Sequence, residues 1–361
     1  MMKKAIVIIL VCMLLMVGII IPVSGTTLLE KTSTSLTIGN ILYVGGSGSN
    51  NYTKIQDAID NTSDGDTVFV YDDSSPYLES VVINKSINLI GEDKYSTIIN
   101  VQDLEGNGVT IEADKVLLCG FTIQNAYGQK AAYSGVSIQS NGSSIEDNIL
   151  QYNRWAGIFV FYGDYNVIQD NIIINNTFDG INLLGRYNKI MRNYIADNKY
   201  GITLEGAFHN NFSLNTIYNH TVGIDLWDYN RNNTFYQNNI TSNEIGVRSE
   251  MSSKNYILRN NFISNGKNAV FLRCPLAEIV LTLFLTVSFK DTYILKNYRA
   301  VGVSIWDGNY WDKPRLLPYP ILGRRGVIGT LIKTSANTFW PNRIVFDWHP
   351  AQKPYNIPPV V

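Results

Sequence analysis

The chain has 361 residues, of which 45% are hydrophobic and 16% charged, and it contains 40 Asn. Asn is unfavourable inside helices and common in turns and stacked side-chain ladders, which argues against an all-α protein, and the apolar fraction argues against a disordered one. The formal net charge of −1 gives no electrostatic support for binding to nucleic acid.

The N-terminal segment forms a separate unit. Two lysines precede an apolar run at 5–21, and Ser24 and Gly25 follow it. This order predicts a secretory signal peptide at 1–25, then a linker at 26–41. The alternative is an uncleaved anchor, since the run is nearly long enough to span a bilayer. In both cases we expect the protein outside the cell or on its surface, touching the membrane only through the apolar run if that run remains.

A short helix is predicted near residues 53–61, in the stretch YTKIQDAIDN. Thr53 is a good N-cap, Gln56 stands at the capping-box position, and the apolar residues share one face. The repeats that follow would form a stack with an open end. We therefore expect this helix to cap the N-terminal end of the stack.

Two markers recur in phase at intervals of 21 to 23 residues. Segments that start with Asn begin at Asn166, Asn188, Asn210, Asn233 and Asn255. A Gly followed by an apolar residue recurs at Gly135, Gly157, Gly180, Gly201, Gly223 and Gly246. Between the markers, apolar and polar residues alternate over three short stretches, which is the pattern of β-strands.

This repeat predicts an all-β protein, a single-stranded parallel β-helix at 42–271 with about 22 residues and three short strands per coil. A leucine-rich repeat has a similar period but needs a Leu-dominated frame, which this sequence lacks. One corner is expected to stack amides from Asn171, Asn193, Asn215, Asn238 and Asn260. The glycines are expected at another corner, where a positive φ is easy for Gly.

The repeat pattern stops after Ala269, and we expect an irregular, aromatic and Pro-rich C-terminal cap at 272–361. Within it, the apolar stretch at 275–289 is too short to cross a membrane and predicts a buried capping strand or helix. Residues 290–361 carry a net charge of +6, whereas residues 26–289 carry −9, which marks two different regions. An alternative role for the cap is a sugar-stacking surface made by Trp306, Trp311, Trp340 and Trp348.

Several stretches resemble known proteins: YVGGSGSNNYTKIQDAIDNTSDGDTVFVY at 43–71, VVINKSINLIGE at 81–92, and the NxIxxNxxGIxL repeat. They are similar to exported β-helix proteins of archaea and bacteria that are grouped with the NosD family and, more broadly, with pectin-lyase-like carbohydrate-binding and sugar-hydrolysis repeats. GNYWD and FDWHP resemble the tails of archaeal members. The resemblance covers about 42–361 and implies a right-handed parallel β-helix. It does not specify an activity, because this fold carries lyases, hydrolases, adhesins and surface proteins without chemistry.

NosD is associated with the maturation of a periplasmic copper enzyme, so the resemblance raises the question of copper. Soft metal sites need clustered His, Cys or Met side chains. Beyond the signal segment the sequence offers Cys119, Met191, His209, His220, Met251, Cys274 and His349. They are scattered along the chain, so we expect no copper site and no disulfide framework.

The outward positions after each Gly form the expected ligand face. Two residues beyond Gly the column reads Phe159, Asn182, Thr203, Asp225 and Arg248, and four beyond it reads Phe161, Leu184, Glu205, Trp227 and Glu250. Neighbours in a column lie about 4.8 Å apart, and the two columns lie about 7 Å apart. The acidic residues and the arginine should therefore converge beside the tryptophan, with Trp155 and the two phenylalanines further along the face.

Three functions fit this face. The favoured one is a monomeric secreted or cell-surface protein that binds a polysaccharide or glycan. Its ligand-binding residues would be Trp155, Phe159, Phe161, Asn182, Trp227 and Glu250. One alternative is a structural envelope protein that binds no ligand. In that case the charged residues form exposed ion pairs of little energetic effect.

An enzyme is the remaining alternative, with Glu205, Asp225 and Arg248 as catalytic residues. Two carboxylates could act as acid and base, or as nucleophile, in a glycoside hydrolase, which needs carboxyl groups roughly 5 to 9.5 Å apart. In a polysaccharide lyase the carboxylates could instead hold Ca²⁺ against an acidic polymer while the arginine removes a proton.

Overall fold

The computed structural model describes residues 39–128, 133–227, 229–250, 252–273, 304–314, 317–325 and 343–358. The expected signal peptide or anchor, most of the expected linker and the apolar stretch at 275–289 lie outside these residues. Within the described ranges, no helix is long and apolar enough to cross a membrane.

The described part of the chain contains one α-helix, α1 (Ile55–Asp60), and three parallel sheets that run side by side. Sheet 1 contains β1 (Ile41–Val44), β2 (Thr67–Val70), β4 (Asn88–Gly91), β7 (Leu117–Cys119), β10 (Ser144–Glu146), β13 (Val167–Gln169), β16 (Lys189–Met191), β19 (Asn211–Ser213), β22 (Thr234–Tyr236), β25 (Tyr256–Leu258) and β28 (Ile305–Asp307). Sheet 2 contains β5 (Ile98–Asn100), β8 (Thr122–Gln124), β11 (Ile149–Gln151), β14 (Ile172–Ile174), β17 (Tyr194–Ala196), β20 (Thr216–Tyr218), β23 (Asn239–Thr241), β26 (Asn261–Ile263) and β29 (Tyr310–Trp311). Sheet 3 contains β3 (Val81–Ile83), β6 (Val109–Ile111), β9 (Val136–Ile138), β12 (Ala156–Val160), β15 (Asp179–Leu183), β18 (Tyr200–Glu205), β21 (Val222–Trp227), β24 (Ile245–Glu250), β27 (Lys267–Arg273), β30 (Tyr319–Arg325) and β31 (Arg343–Asp347).

These sheets form the predicted parallel β-helix, with about 10 coils of about 23 residues. Apart from the last pair, β30 and β31, neighbouring strands of a sheet pair in parallel from one coil to the next, as Ile190 does with Phe212 and Phe212 with Phe235. The apolar columns point into the stack and are fully buried. The core is therefore one continuous column of side chains, which no single coil could bury alone.

Stacked amides follow all three sheet corners, not one. In the predicted ladder, the backbone N–H of Asn193 donates to Oδ1 of Asn215 over 3.0 Å, and Asn215 repeats this contact with Asn238. Parallel ladders run through Asn166, Asn188, Asn210, Asn233 and Asn255, and through Asn153, Asn176, Asn198, His220 and Asn243. These contacts satisfy corner backbone groups that no strand partner reaches.

The role predicted for the repeat glycines is wrong. They have no positive φ; instead, ordinary residues that precede the ladder asparagines have it, such as Leu214 at 59° and Gln237 at 52°. Gly is needed for space: a Cβ on Gly180 would lie 2.6 Å from the carbonyl oxygen of Gly201, and one on Gly201 would lie 2.4 Å from that of Gly223. The backbones approach too closely for any side chain.

The capping helix α1 is present, but its predicted N-cap is wrong. Lys54 is the N-cap residue and makes no side-chain capping bond. The carboxylate of Glu79, from the next coil, accepts the N–H groups of Ile55 over 2.9 Å and Gln56 over 3.0 Å. A negative charge there also suits the positive end of the helix.

Part of the expected irregular C-terminal cap forms one more coil. Trp306 pairs with Ile257, Trp311 pairs with Phe262 and stacks on its ring at 4.4 Å, and Asn309 extends the Asn ladder. The two tryptophans are buried and cannot form a sugar-stacking surface. Trp348 is exposed, and Trp340 lies outside the described residues.

The stack ends where β31 pairs antiparallel with β30. The buried carboxylate of Asp347 accepts bonds from the Trp311 indole over 3.0 Å and from the backbone and side-chain amides of Asn309. A carboxylate only accepts hydrogen bonds, so it satisfies the last donors of the ladder and offers none to a further coil.

Candidate functional site

A pocket of about 300 Å³ opens on the outer face of sheet 3, across β15, β18, β21 and β24. Seven of the nine residues predicted for the ligand face line it: Trp155, Asn182, Glu205, Asp225, Trp227, Arg248 and Glu250. The other two, Phe159 and Phe161, do not line it, and their rings pack against each other at 5.7 Å.

Strand register brings the polar side chains together as the sequence columns predict. Asn182 pairs with Thr203, Thr203 with Asp225, and Asp225 with Arg248. In the second column Glu205 pairs with Trp227. The two columns lie on strands that are hydrogen-bonded neighbours, so their geometry is set by the rigid sheet and not by loops.

Asp225 and Arg248 form an ion pair whose carboxylate is buried and whose guanidinium is partly exposed. Nε of Arg248 donates to Oδ1 of Asp225 over 2.9 Å, and a second guanidinium nitrogen donates to Oδ2. Asp225 is 3% exposed, so this pair is not the solvated surface contact of the structural alternative. The hydrogen bonds that Arg248 donates to Asp225 raise the pKa of Arg248 further above its usual value, which opposes a role for Arg248 as a proton-abstracting base.

Asp179 is the main residue that sequence reasoning missed. Its buried carboxylate accepts bonds from the hydroxyl of Thr203 over 2.5 Å and from Nδ2 of Asn182 over 3.1 Å. Burial raises its pKa to about 6; the two hydrogen bonds oppose this rise, and the charges of Glu205 and Asp225 add to it. A carboxyl group that titrates near neutrality in a pocket is a common feature of functional sites.

A break in strand alternation explains why Asp179 was missed. The repeat Gly180 faces the core, since a Cβ there would lie 2.5 Å from Cγ2 of Ile195, and Ile181 is also buried. Two successive inward positions leave Asp179 and Asn182 on the outer side together. The signal in the sequence was an acidic residue directly before a repeat Gly. Counting outward positions in steps of two from that Gly skips this residue.

Aromatic rings form the walls of the pocket. Two of these residues, Phe178 and Tyr200, were not predicted. The ring centres of Phe178 and Trp155 lie 5.2 Å apart, and Trp227 is half exposed. The ammonium of Lys199 lies 5.2 Å from the ring of Phe178 and 5.3 Å from that of Tyr200. The pocket thus combines flat apolar surfaces with a polar floor.

A shallower groove of about 940 Å³ adjoins the pocket and shares Phe178 with it. Its lining includes Tyr127, Tyr152 and Arg154, and the Arg154 guanidinium lies 4.7 Å from the Tyr127 ring. The groove follows the turns between sheets 2 and 3. A long ligand that left the pocket past Phe178 would enter it.

Known proteins similar to this chain include a cell surface glycoprotein of Methanothermus fervidus. It is 29% identical over 286 residues, which cover 63% of this chain and 43% of that protein. The chain therefore spans less than half the length of this relative.

Among solved structures, the enzymatically active domain of tailspike protein 2 from bacteriophage CBA120 has a TM-score of 0.50 and 12% identity, covering 65% of this chain and 42% of that one. The complex of XylC with xylose has a TM-score of 0.49 and 10% identity, covering 79% and 71%. The tailspike domain shares the fold at an identity too low to carry function.

The family described as "Periplasmic copper-binding protein (NosD)" matches residues 59–245. In the described residues, no three His, Cys, Asp or Glu side chains are close enough to share a metal ion. The ring nitrogens of His220 are engaged by Asn198 and Ile195, and Cys119 is buried, so the described donors do not fit a copper site. The match covers more than half of the chain and runs from α1 to β24, and the chain belongs to the NosD family of parallel β-helix proteins.

Proposed function

We propose that this protein is exported and binds a polysaccharide or glycan in the pocket on sheet 3. The observation that carries the proposal is the composition of the pocket: four aromatic rings stand around a floor of buried polar groups. Sites for small organic ligands are concave and largely apolar, with a few fixed polar groups that set orientation. Aromatic faces can pack on the C–H faces of sugar rings while the floor accepts hydrogen bonds from their hydroxyl groups.

Two comparisons support a location outside the cytoplasm. The relative from Methanothermus fervidus is named a cell surface glycoprotein, and the family description places NosD in the periplasm. The N-terminal sequence, with its lysines and apolar run, agrees with export.

The test is co-sedimentation of the purified protein with neutral, acidic and amino polysaccharides, with and without Ca²⁺. Trp227→Ala should weaken binding at least about tenfold, because it removes an exposed wall of the pocket. Trp348→Ala is the matched control, since Trp348 is also exposed, at 64% against 50% for Trp227, but lies in the C-terminal segment. Unchanged affinity of the Trp227 variant for every bound polymer would reject the pocket as the binding site.

A glycoside hydrolase is the second candidate, and the raised pKa of Asp179 favours it. General acids of glycosidases are carboxyl groups held protonated near neutral pH, paired with a second carboxylate. Asp179 would be the acid and Glu205 the partner, while Asp225 is held by Arg248. This assignment replaces Asp225 by Asp179 in the pair expected from the sequence.

New reducing ends in the same supernatants would decide between binding and hydrolysis. If the protein is a hydrolase, Asp179→Asn should abolish new ends and leave sedimentation intact. Binding without new ends supports a lectin-like surface protein. Neither signal for any polymer supports the structural envelope protein.

A further inference from the structure

The pocket carries an excess of negative charge. Its walls and floor contain the carboxyl groups of Asp179, Glu205, Asp225 and Glu250, against the single guanidinium of Arg248. Lys199 adds one ammonium at the rim, over the rings of Phe178 and Tyr200. Among the described residues, three carboxyl groups besides Asp179 therefore face two cations, and ionisation of Asp179 adds a fourth negative charge.

The guanidinium of Arg248 is already committed inside the protein. It donates two bonds to Asp225, and its Nε lies 3.8 Å from Oε1 of Glu250. The Tyr200 ring lies beside it, with Cζ at 5.7 Å from the ring centre, and about a third of the side chain stays exposed. An acidic ligand would therefore meet a guanidinium whose charge is already paired with Asp225 and lies close to Glu250.

A separate observation concerns a buried hydrogen-bond acceptor in the pocket that has no donor. Asn182 lines the pocket and is 2% exposed, and its Nδ2 donates to Asp179. Its Oδ1 atom has no hydrogen-bond partner. A buried acceptor without a partner costs free energy, which a donor from the ligand would recover.

We infer that this pocket selects saccharides that carry a free amino group over their neutral and acidic counterparts. The inference rests on the proposed function and specifies its ligand class. The ammonium group would lie among the carboxylates and near the aromatic faces, which attract cations through their π-electrons. Lys199 and Arg248 already lie against the rings of Phe178 and Tyr200, so the ring open to a ligand cation is that of Trp227, which lines the pocket and is half exposed.

Proton release on binding is a consequence that does not depend on comparing ligands. Asp179 faces Glu205 on β18, Asp225 on β21, and Arg248 and Glu250 on β24, with Lys199 at the rim. An added ammonium favours its ionised form, so binding at about pH 6 expels part of a proton. Calorimetry in buffers with different ionisation enthalpies measures this proton directly.

The experiment compares hexamers of glucosamine, N-acetylglucosamine and galacturonic acid by titration calorimetry at about pH 6, where the amine is protonated. We expect the glucosamine hexamer to bind at least about tenfold more tightly than the N-acetylated hexamer, and the acidic hexamer more weakly than both. Glu205→Gln should reduce the preference to about threefold, because it removes one of the carboxylates. Glu244→Gln, an exposed position away from the pocket, is the control and should leave the preference unchanged.

Equal binding of the amino and N-acetyl hexamers, tighter binding of the acidic hexamer, or binding of the amino hexamer without proton release would overturn the inference. In those cases a saccharide still binds and the proposed function stands. If none of the three hexamers and no polysaccharide in the co-sedimentation panel binds, the proposed function fails together with this inference. If another polysaccharide binds while all three hexamers fail, only the preference for amino sugars is wrong.

Discussion

The side chains of Asp225 and Arg248, on adjacent strands of sheet 3, are held together by two parallel hydrogen bonds on the floor of the candidate site. The carboxylate side is almost completely buried and the guanidinium side is partly exposed. Such a pair gives a rigid base to the pocket, because planar bidentate geometry fixes both side chains.

Arg248→Ala should destabilise the protein by about 3 kcal/mol, because it leaves the carboxylate of Asp225 buried without a partner. Urea unfolding of the variant and the wild type measures the loss. Removing both groups, in Asp225→Ala with Arg248→Ala, should cost less than Arg248→Ala alone. If the double variant loses as much stability as Arg248→Ala or more, the loss in Arg248→Ala does not come from an unpaired buried charge.

Asp179→Asn should stabilise the protein at neutral pH. The native carboxyl group keeps its proton up to about pH 6, whereas in the unfolded chain it loses the proton near 3.8. Native stability therefore falls as the pH rises between these values, and the whole cost, about 2 to 3 kcal/mol, is present above pH 6. In chemical unfolding, the free energy of unfolding of the variant should exceed that of the wild type most at pH 7 and least at pH 4. If the difference in free energy of unfolding between the two proteins does not change with pH, another contact causes that difference.

His220→Asn should protect the protein against mild acid. His220 occupies an Asn position in a ladder, where its Nδ1 accepts the N–H of Asn198 over 3.2 Å, and burial lowers its pKa. The unfolded chain binds the proton more readily, so stability is complete above about pH 6.5 and is lost as the pH falls below it. Thermal unfolding between pH 7 and pH 5 should show a smaller decrease in Tm for the Asn variant. Parallel pH curves for the two proteins would disprove the linkage.

Asn215→Ala should cost about 3 kcal/mol or more. Oδ1 of Asn215 accepts the backbone and side-chain N–H groups of Asn193, each over 3.0 Å, and its own Nδ2 donates to Ile190 over 2.9 Å. The substitution leaves several buried polar groups unpaired, each costing about 1 to 3 kcal/mol. Asn211→Ala, at an exposed strand position, is the control and should change the free energy of unfolding by less than about 0.5 kcal/mol.

Tyr127→Ala should weaken binding of long ligands about fivefold and leave short ones unaffected, because Tyr127 lines the groove beyond Phe178 and not the pocket. Titration with a dimer and a hexamer of the same sugar measures the difference. Tyr95→Ala is the control, since Tyr95 is exposed outside both sites. If both lengths lose affinity equally, the groove is not an extension of the pocket.

The repeat offsets in the sequence predict the relative positions of residues on sheet 3, whereas the role of these residues in binding stays a prediction. Glu205, Asp225 and Arg248 were placed correctly because each stands at a fixed offset from a repeat Gly, and strand pairing preserves that offset from coil to coil. Phe159 and Phe161 follow the same offsets, yet they lie outside the pocket. Offsets define columns, but the shape of the surface depends on neighbouring side chains.

The period of Asn, Gly and apolar residues was sufficient by itself to determine the stacked β-helix, its inward columns and one amide ladder, because identical coils repeat identical contacts. Only the tertiary structure decided the features that interrupt the repeat or connect distant parts of the chain. Glu79 caps α1 from 24 residues away, and Asn309 continues a ladder 49 residues after Asn260. The carboxyl group of Asp179 acquires its raised pKa from burial and from charges on other coils. These features depend on distances between coils and on burial, which a repeat pattern along the chain does not contain.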